Sequence, residues 1–140
     1  MKLDNLIAVS GLSGIYRMAA NRSNGLIIED VKTGKRRFAS SRKHQFTPLE
    51  SIAIYTDDGD STELKNVFRN MLQQQEDNPP PSGSGTSSEA LHEYFADVLP
   101  NYDRDRVFTG DIKKLVKWFN YLNDSGLIDA NDDEAQDEEE

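Results

Sequence analysis

The segment QQQEDNPPPSGSGTSS, residues 73–88, constrains this chain more than any other feature. Three consecutive prolines stiffen it, and the Gly and Ser that follow loosen it; neither composition builds a core. It divides 140 residues into a front module of about 72 and a back module of about 40. A piece of about 40 residues lies at the limit below which a single apolar core holds a chain folded.

The front module reads as short strands separated by turn signals. Leu6 to Val9 is a first apolar run, ended by Gly11 and Gly14. Ile15 to Ala20 and Leu26 to Val31 follow, with Asn21-Arg22-Ser23-Asn24-Gly25 between them. Lys32-Thr33-Gly34-Lys35 makes a tight turn, with Gly34 free to take positive φ, and leads into Arg36 to Ala39. Pro48-Leu49-Glu50-Ser51 fits one turn of 3₁₀ helix before a fifth strand, Ile52 to Thr56. Five short strands with hairpin connections predict a small SH3-like barrel, closed or nearly closed so that its edges are hidden. Gly11-Leu12-Ser13-Gly14 lacks the Lys-Ser/Thr of a phosphate-binding loop and reads as a tight turn.

Three amphipathic helices are expected. Asp60-Ser61-Thr62-Glu63 has the form of a capping box before Leu64, Val67, Phe68, Met71 and Leu72, one apolar face expected to pack on the barrel. Thr86-Ser87-Ser88-Glu89 opens a second helix with Leu91, Tyr94, Phe95, Val98 and Leu99 on one face, stopped by Pro100. Thr109 is the expected N-cap of a third, with Ile112, Leu115, Val116, Phe119 and Leu122 as its core stripe and Gly126 beyond its end. Trp118 and Tyr121 widen that stripe to roughly 220° of the circumference, more than one partner helix covers. The back module is therefore expected to dock on its own barrel, on a second copy or on a partner protein.

The predicted fold class is α+β. The expected domains are 1–72, an SH3-like β-barrel with a following helix; 73–86, the linker; 87–128, a helical hairpin; and 129–140, a disordered acidic tail. Charge follows the same division. Residues 1–56 carry +5 and residues 57–140 carry −14, giving the net −9. Eight of the last twelve residues are acidic, a composition that repels itself and stays solvated.

Several functions lose support at this level. Zero cysteines exclude disulfides, thiol catalysis and Cys-based zinc sites. No apolar stretch approaches the roughly 20 residues that span a bilayer, and MKLDNLIAVSG is a poor signal peptide, so a cytoplasmic protein is expected. His44 and His92 show neither His-x-x-x-His spacing nor a Ser-His-Asp order. Asp103-Arg104-Asp105-Arg106 departs from a calcium loop and reads as local ion pairs, with Asp111 in the first turn of the third helix. No enzyme, metal or cofactor is expected.

Two constellations remain. Lys35, Arg36 and Arg37 at the hairpin, with Arg42 and Lys43 in the next loop, form a basic face that either meets phosphates beside Tyr16, Phe38 or Phe46, or is a solvated surface balancing the acidic tail. Trp118 and Tyr121 fit interface anchors and intramolecular core equally well.

DNLIAVSGLSGIYRM, GLIIEDVKTGKR and LESIAIYT resemble the N-terminal half of a bacterial family of domain-of-unknown-function proteins. YFADVLPNYDRDRVFTGDIKKLVKWFNYL resembles the companion helical domain of the same proteins. The resemblance implies an SH3-like domain followed by a helical one, and brings no activity, cofactor or catalytic residue. VSGLSGIYRM is also similar to the opening of KOW-type barrels of ribosomal and transcription proteins, a likeness of fold. The expected function is non-enzymatic, adaptor-like protein interaction, through Trp118 and Tyr121 and the basic barrel side. Protein partners or self-association are expected and membranes are not. The alternative is an RNA- or ribosome-associated protein using the basic face of the barrel.

Overall fold

The computed structural model describes residues 3, 5–12, 14–81 and 85–128. The acidic segment 129–140, expected as a disordered tail, lies outside the described residues. The fold is α+β, with strands in the front and helices in the back. It forms two compact units, one of residues 3–52 and one beginning at Ala53.

The first unit is a five-stranded antiparallel sheet. β1 (Leu6–Val9), β2 (Tyr16–Arg22), β3 (Gly25–Asp30) and β4 (Arg36–Ser40) are the strands expected from the apolar runs. The sheet is completed by β5 (Phe46–Pro48), in the order β4-β3-β2-β1-β5. A 3₁₀ turn follows at Leu49–Ser51, where Ile52 N–H donates to Leu49 O at 3.1 Å. Ile7, Val9, Tyr16, Ile28 and Ala39 form the core, with Leu12, Leu26 and Phe46 packed on it. Gly34 takes φ +75° in the β3–β4 turn, and Asp30 Oδ1 accepts from the Lys32 and Thr33 amides at 2.8 and 3.4 Å. That arrangement is the Asx-type turn which Asp and Gly favour together.

One expectation fails here. Ile52 to Thr56 is not the fifth strand of this sheet, and β4 and β5 are not paired with each other among the described residues, so the sheet is not a closed barrel. β6 (Ala53–Tyr55) instead pairs with β7 (Ser61–Glu63) in a hairpin of the second unit. A short alternating strand looks the same locally whichever sheet receives it; pairing is decided by the register of distant segments.

The second unit joins that hairpin to α1 (Leu64–Gln74), α2 (Ser88–Val98) and α3 (Thr109–Asp124). Ser61 to Glu63 is strand rather than capping box, and Glu63 occupies the N-cap of α1 without a side-chain bond. The five apolar residues expected on α1 are all buried, and α1 packs within the second unit on α2 and β7, with Phe68 meeting Phe119 of α3. Phe68 and Phe119 stand with ring centroids 6.0 Å apart. Asn70 Nδ2 donates to Val98 O at 3.0 Å, Gln74 Nε2 to Asp97 O at 2.8 Å, and Asn123 Nδ2 to Gln75 Oε1 at 3.1 Å. The division of the chain therefore falls between Ile52 and Ala53 and not after residue 72. The Pro/Gly/Ser segment connects α1 to α2 inside one unit. This corrects the predicted two-helix module: α1 is a third helix, and it supplies burial that a lone pair lacks.

Local chemistry explains the helix ends. Ser87 caps α2 by accepting from Ala90 N–H at 3.1 Å. After α3, Gly126 takes φ +73°, its amide donates to Asn123 O at 3.1 Å and the Leu127 amide donates to Leu122 O at 3.0 Å. This is a Schellman closure, with Gly at the left-handed position.

Candidate interaction surfaces

The outer face of the first unit is built by cross-strand register. Arg17 of β2 stands opposite Glu29 of β3, which stands opposite Arg36 of β4. Arg36 Nε donates to Glu29 Oε1 at 2.9 Å and Arg17 Nη1 to Glu29 Oε2 at 3.4 Å. The Arg36 guanidinium hydrogen-bonded to Glu29 holds that carboxyl below its usual range, and the charge of Arg17 adds to the effect. The next row on this face is Ala20, Ile27 and Phe38. A bulge at Ala19, between Met18 and Ala20, keeps the two rows in step across β2.

Phe38 is 42% exposed, and its ring lies over Gly25. A Cβ on Gly25 would meet the Ala39 carbonyl and come within 2.9 Å of Phe38 Cζ, so only glycine admits this packing. An aromatic laid across a strand glycine replaces the side chain the glycine lacks.

The basic residues singled out in the sequence fall into two groups. Lys35, Arg36 and Arg37 lie at the start of β4, while Arg42 and Lys43 lie in the turn after it. All five are exposed. The extended strand joining the groups, Arg37 to Ser40, spans roughly 10 Å at about 3.3 Å per residue. Of the proposed stacking partners, Tyr16 is in the core, Phe46 packs on it, and Phe38 remains accessible. His44 is tied to the β1–β2 connection, with Nδ1 2.7 Å from Ser10 O.

In the second unit, Trp118 and Tyr121 are half-buried on the flank of α3, outside the sealed stripe of Ile112, Leu115, Val116, Phe119 and Leu122. Other aromatic groups are more exposed. Phe108 is 63% exposed and occupies the N-cap of α3, a position that favours Ser, Thr, Asp or Asn. A Phe ring cannot accept a hydrogen bond, so only the return half of a capping box is present: Phe108 N–H donates to Asp111 Oδ2 at 3.0 Å. Tyr55 is 49% exposed, with the Arg106 guanidinium 5.1 Å from its ring centroid. Phe108 and Tyr55 were not singled out by sequence pattern, and Arg106 was read only as a member of local ion pairs; the expected N-cap, Thr109, is instead the first residue of α3.

The segment 101–107 lies along the free side of β6. Asp57 N–H donates to Asn101 O at 2.8 Å and Asp103 N–H to Tyr55 O at 2.9 Å. Arg106 pairs with Asp103 at 3.7 Å, as the alternating signs suggested. Above this loop, His92 Nδ1 is 2.8 Å from the Tyr102 hydroxyl and Nε2 is 3.1 Å from Thr109 Oγ1, which is 2.6 Å from Ser88 Oγ. Both ring nitrogens are engaged, so His92 braces α2, the loop and the start of α3. Among the described residues, no group of three or more His, Asp or Glu side chains is placed to hold a metal ion, and no helix is long and apolar enough to cross a membrane.

Fold and surface together define a two-unit α+β protein, a strand-rich front followed by a hairpin with three helices. The chain belongs to the family described as Domain of unknown function (DUF6852), which matches residues 52–122. A second family, Domain of unknown function (DUF5606), matches residues 3–49. The two matches meet where the structure divides. The resemblance read from the sequence is thereby borne out. A protein from Bacteroides vulgatus, solved by solution NMR, is similar at 37% identity with a TM-score of 0.75, over 91% of this chain and 90% of that one. No curated protein matches the chain.

Proposed function

We propose that the protein is a non-enzymatic, adaptor-like binding protein of the cytoplasm. The observation that carries this reading is that each unit presents accessible aromatics: Phe38 beside Arg36 in the first, and Tyr55 against Arg106, with Phe108 at the start of α3, in the second. Aromatic and arginine side chains supply most binding energy at protein interfaces. Trp118 and Tyr121, half-buried on α3, are further aromatic candidates in the second unit. In this reading the front unit is an SH3-like sheet, since its strand order returns β5 to pair with β1.

A second reading rests on Phe38. Its exposed ring shares a face with Arg36 and lies on the strand that joins the two basic groups, an arrangement suited to stacking a base and meeting phosphates. The acidic tail would then compete for the basic face.

The test is capture of partners by the full chain from native lysate, with and without nuclease, beside Phe38→Ser and Phe108→Ser. The adaptor reading expects a protein retained after nuclease and lost in one or both variants at unchanged melting temperature. Retention abolished by nuclease favours the nucleic-acid reading. Equal retention by the wild type and both variants refutes the assignment of these surfaces.

A further inference from the structure

The two outer strands of the five-stranded sheet end it differently. Antiparallel pairing alternates residues that bond the neighbour with residues whose N–H and C=O point away. Beside β1, Ser10 N–H donates to Gln45 O at 2.9 Å, so the alternation turns Phe46 and Pro48 of β5 outward. Pro48 has no N–H, and its carbonyl accepts from Ser51 Oγ at 2.7 Å. That edge is blunted. Beside β3, Asp30 N–H donates to Lys35 O at 2.9 Å and Ser41 N–H to Asn24 O at 3.0 Å. The same alternation directs Arg37 and Ala39 to β3 and leaves the N–H and C=O of Arg36 and Phe38 facing outward. Among the described residues no strand pairs with this side of β4, and neither proline nor bulge interrupts it. Arg36, Arg37 and Phe38 are exposed.

We propose that the outer edge of β4 takes up an extended acidic segment of a protein partner as an added antiparallel strand. This rests on the adaptor reading above and deepens it. Main-chain bonds to Arg36 and Phe38 supply affinity, and alternate side chains supply selection. On the outer face, the incoming strand places an acidic residue beside Arg36 and an apolar one beside Phe38; on the other face, an acidic residue meets Arg37. Lys35 at one end and Arg42 and Lys43 at the other extend the same preference. Charged edges also exclude what does not match them. A neutral apolar strand or a second copy of β4 meets unpaired or like charge, whereas an acidic strand is attracted. Arg36 is already held on the sheet by Glu29, and Phe38 by its seat over Gly25, so little side-chain freedom is lost on binding. A nucleic acid would use the same charges but has no need of an open strand edge.

The experiment titrates the full chain with a synthetic peptide centred on a valine followed by two glutamates. Its controls are the same peptide with lysines for glutamates, the same peptide N-methylated on the bonding amides, and oligouridylate RNA. Amide hydrogen exchange at Arg36 and Phe38 is read by NMR. The proposal expects at least about tenfold slowing of exchange at both amides with the acidic peptide. It expects an affinity loss of about tenfold or more on N-methylation, and a similar loss when salt shortens the Debye length from about 10 Å to about 3 Å. The lysine peptide should not bind. Binding without protection at Arg36 and Phe38, unchanged affinity after N-methylation, or binding of RNA alone overturns the proposal. A captured partner that maps to Phe108 and leaves β4 unaffected overturns it too, while the adaptor reading stands; absence of any protein partner defeats both.

Discussion

Truncating Phe68 to alanine tests where α1 belongs. Its side chain is fully buried, next to Phe119 at 6.0 Å, in the second unit. Core Phe→Ala substitutions cost about 3–5 kcal/mol through lost transfer and the cavity left behind, and an aromatic pair adds roughly 0.5–1.5 kcal/mol. A unit of this size has a total stability of about 4–11 kcal/mol at 0.05–0.15 kcal/mol per residue. Phe68→Ala should therefore remove a third or more of the second unit's stability and bring it near its unfolding threshold at 37 °C. Hydrogen exchange on the full chain separates the outcomes. The expected result is exchange faster by two orders of magnitude or more in α1, α2 and α3, with protection of Ile28 and Ala39 in the sheet changed far less. Loss of protection concentrated in the sheet, or a total cost below about 1.5 kcal/mol, would refute the placement of α1 with the helices.

Other consequences are as direct. Tyr94 is buried on α2, and no hydrogen-bond partner for its hydroxyl is present among the described residues. Tyr94→Phe should therefore stabilise the second unit by about 1 kcal/mol in urea unfolding; a loss of similar size would show that the hydroxyl is bonded. Burial pushes the ionisation of Tyr94 up, so the unfolded chain releases that proton first and stability falls as pH rises past about 10. Tyr94→Phe should reduce that alkaline loss in a pH series of melting temperatures. Glu29 is shifted the other way by Arg36, so its contribution is present above the unfolded carboxylate range and disappears as pH falls through its lowered value. Glu29→Gln should flatten the acid limb of the same series. Gly25→Ala should destabilise the sheet by at least about 2 kcal/mol, because the new methyl collides with the Ala39 backbone and the Phe38 ring. An unchanged melting temperature would contradict that packing.

Helix faces were readable from the chain, and their partners were not. All five apolar residues of α1 are buried, as the period of 3.6 requires, yet that period says which face is covered and nothing of what covers it. Assigning α1 to the front module is what made the apolar arc of α3, with Trp118 and Tyr121, look too wide for a helical pair; with three helices in one unit they are half-buried. The front strands β1 to β4 followed from apolar runs punctuated by Gly and Asn. β5 was missed because Phe46-Thr47-Pro48 is three residues long and ends in proline, a residue that argues against strand. β7 was missed because Ser61-Thr62-Glu63 carries the letters of a helix start, and its strand geometry comes from pairing with β6. The basic residues were legible as charge. Their division between a hairpin and the following loop was legible too; that the strand joining them is an edge was not, because edge status belongs to the whole sheet.

In the proposed function, accessible aromatics and a basic edge strand carry the binding. The most direct measurement is a chemical-shift map of the labelled full chain titrated with its purified captured partner. Shifts concentrated at Arg36, Phe38 or Phe108, with the partner recovered chemically unchanged, are the predicted result. Shifts confined to residues away from these surfaces, or a partner recovered covalently altered, would contradict the account.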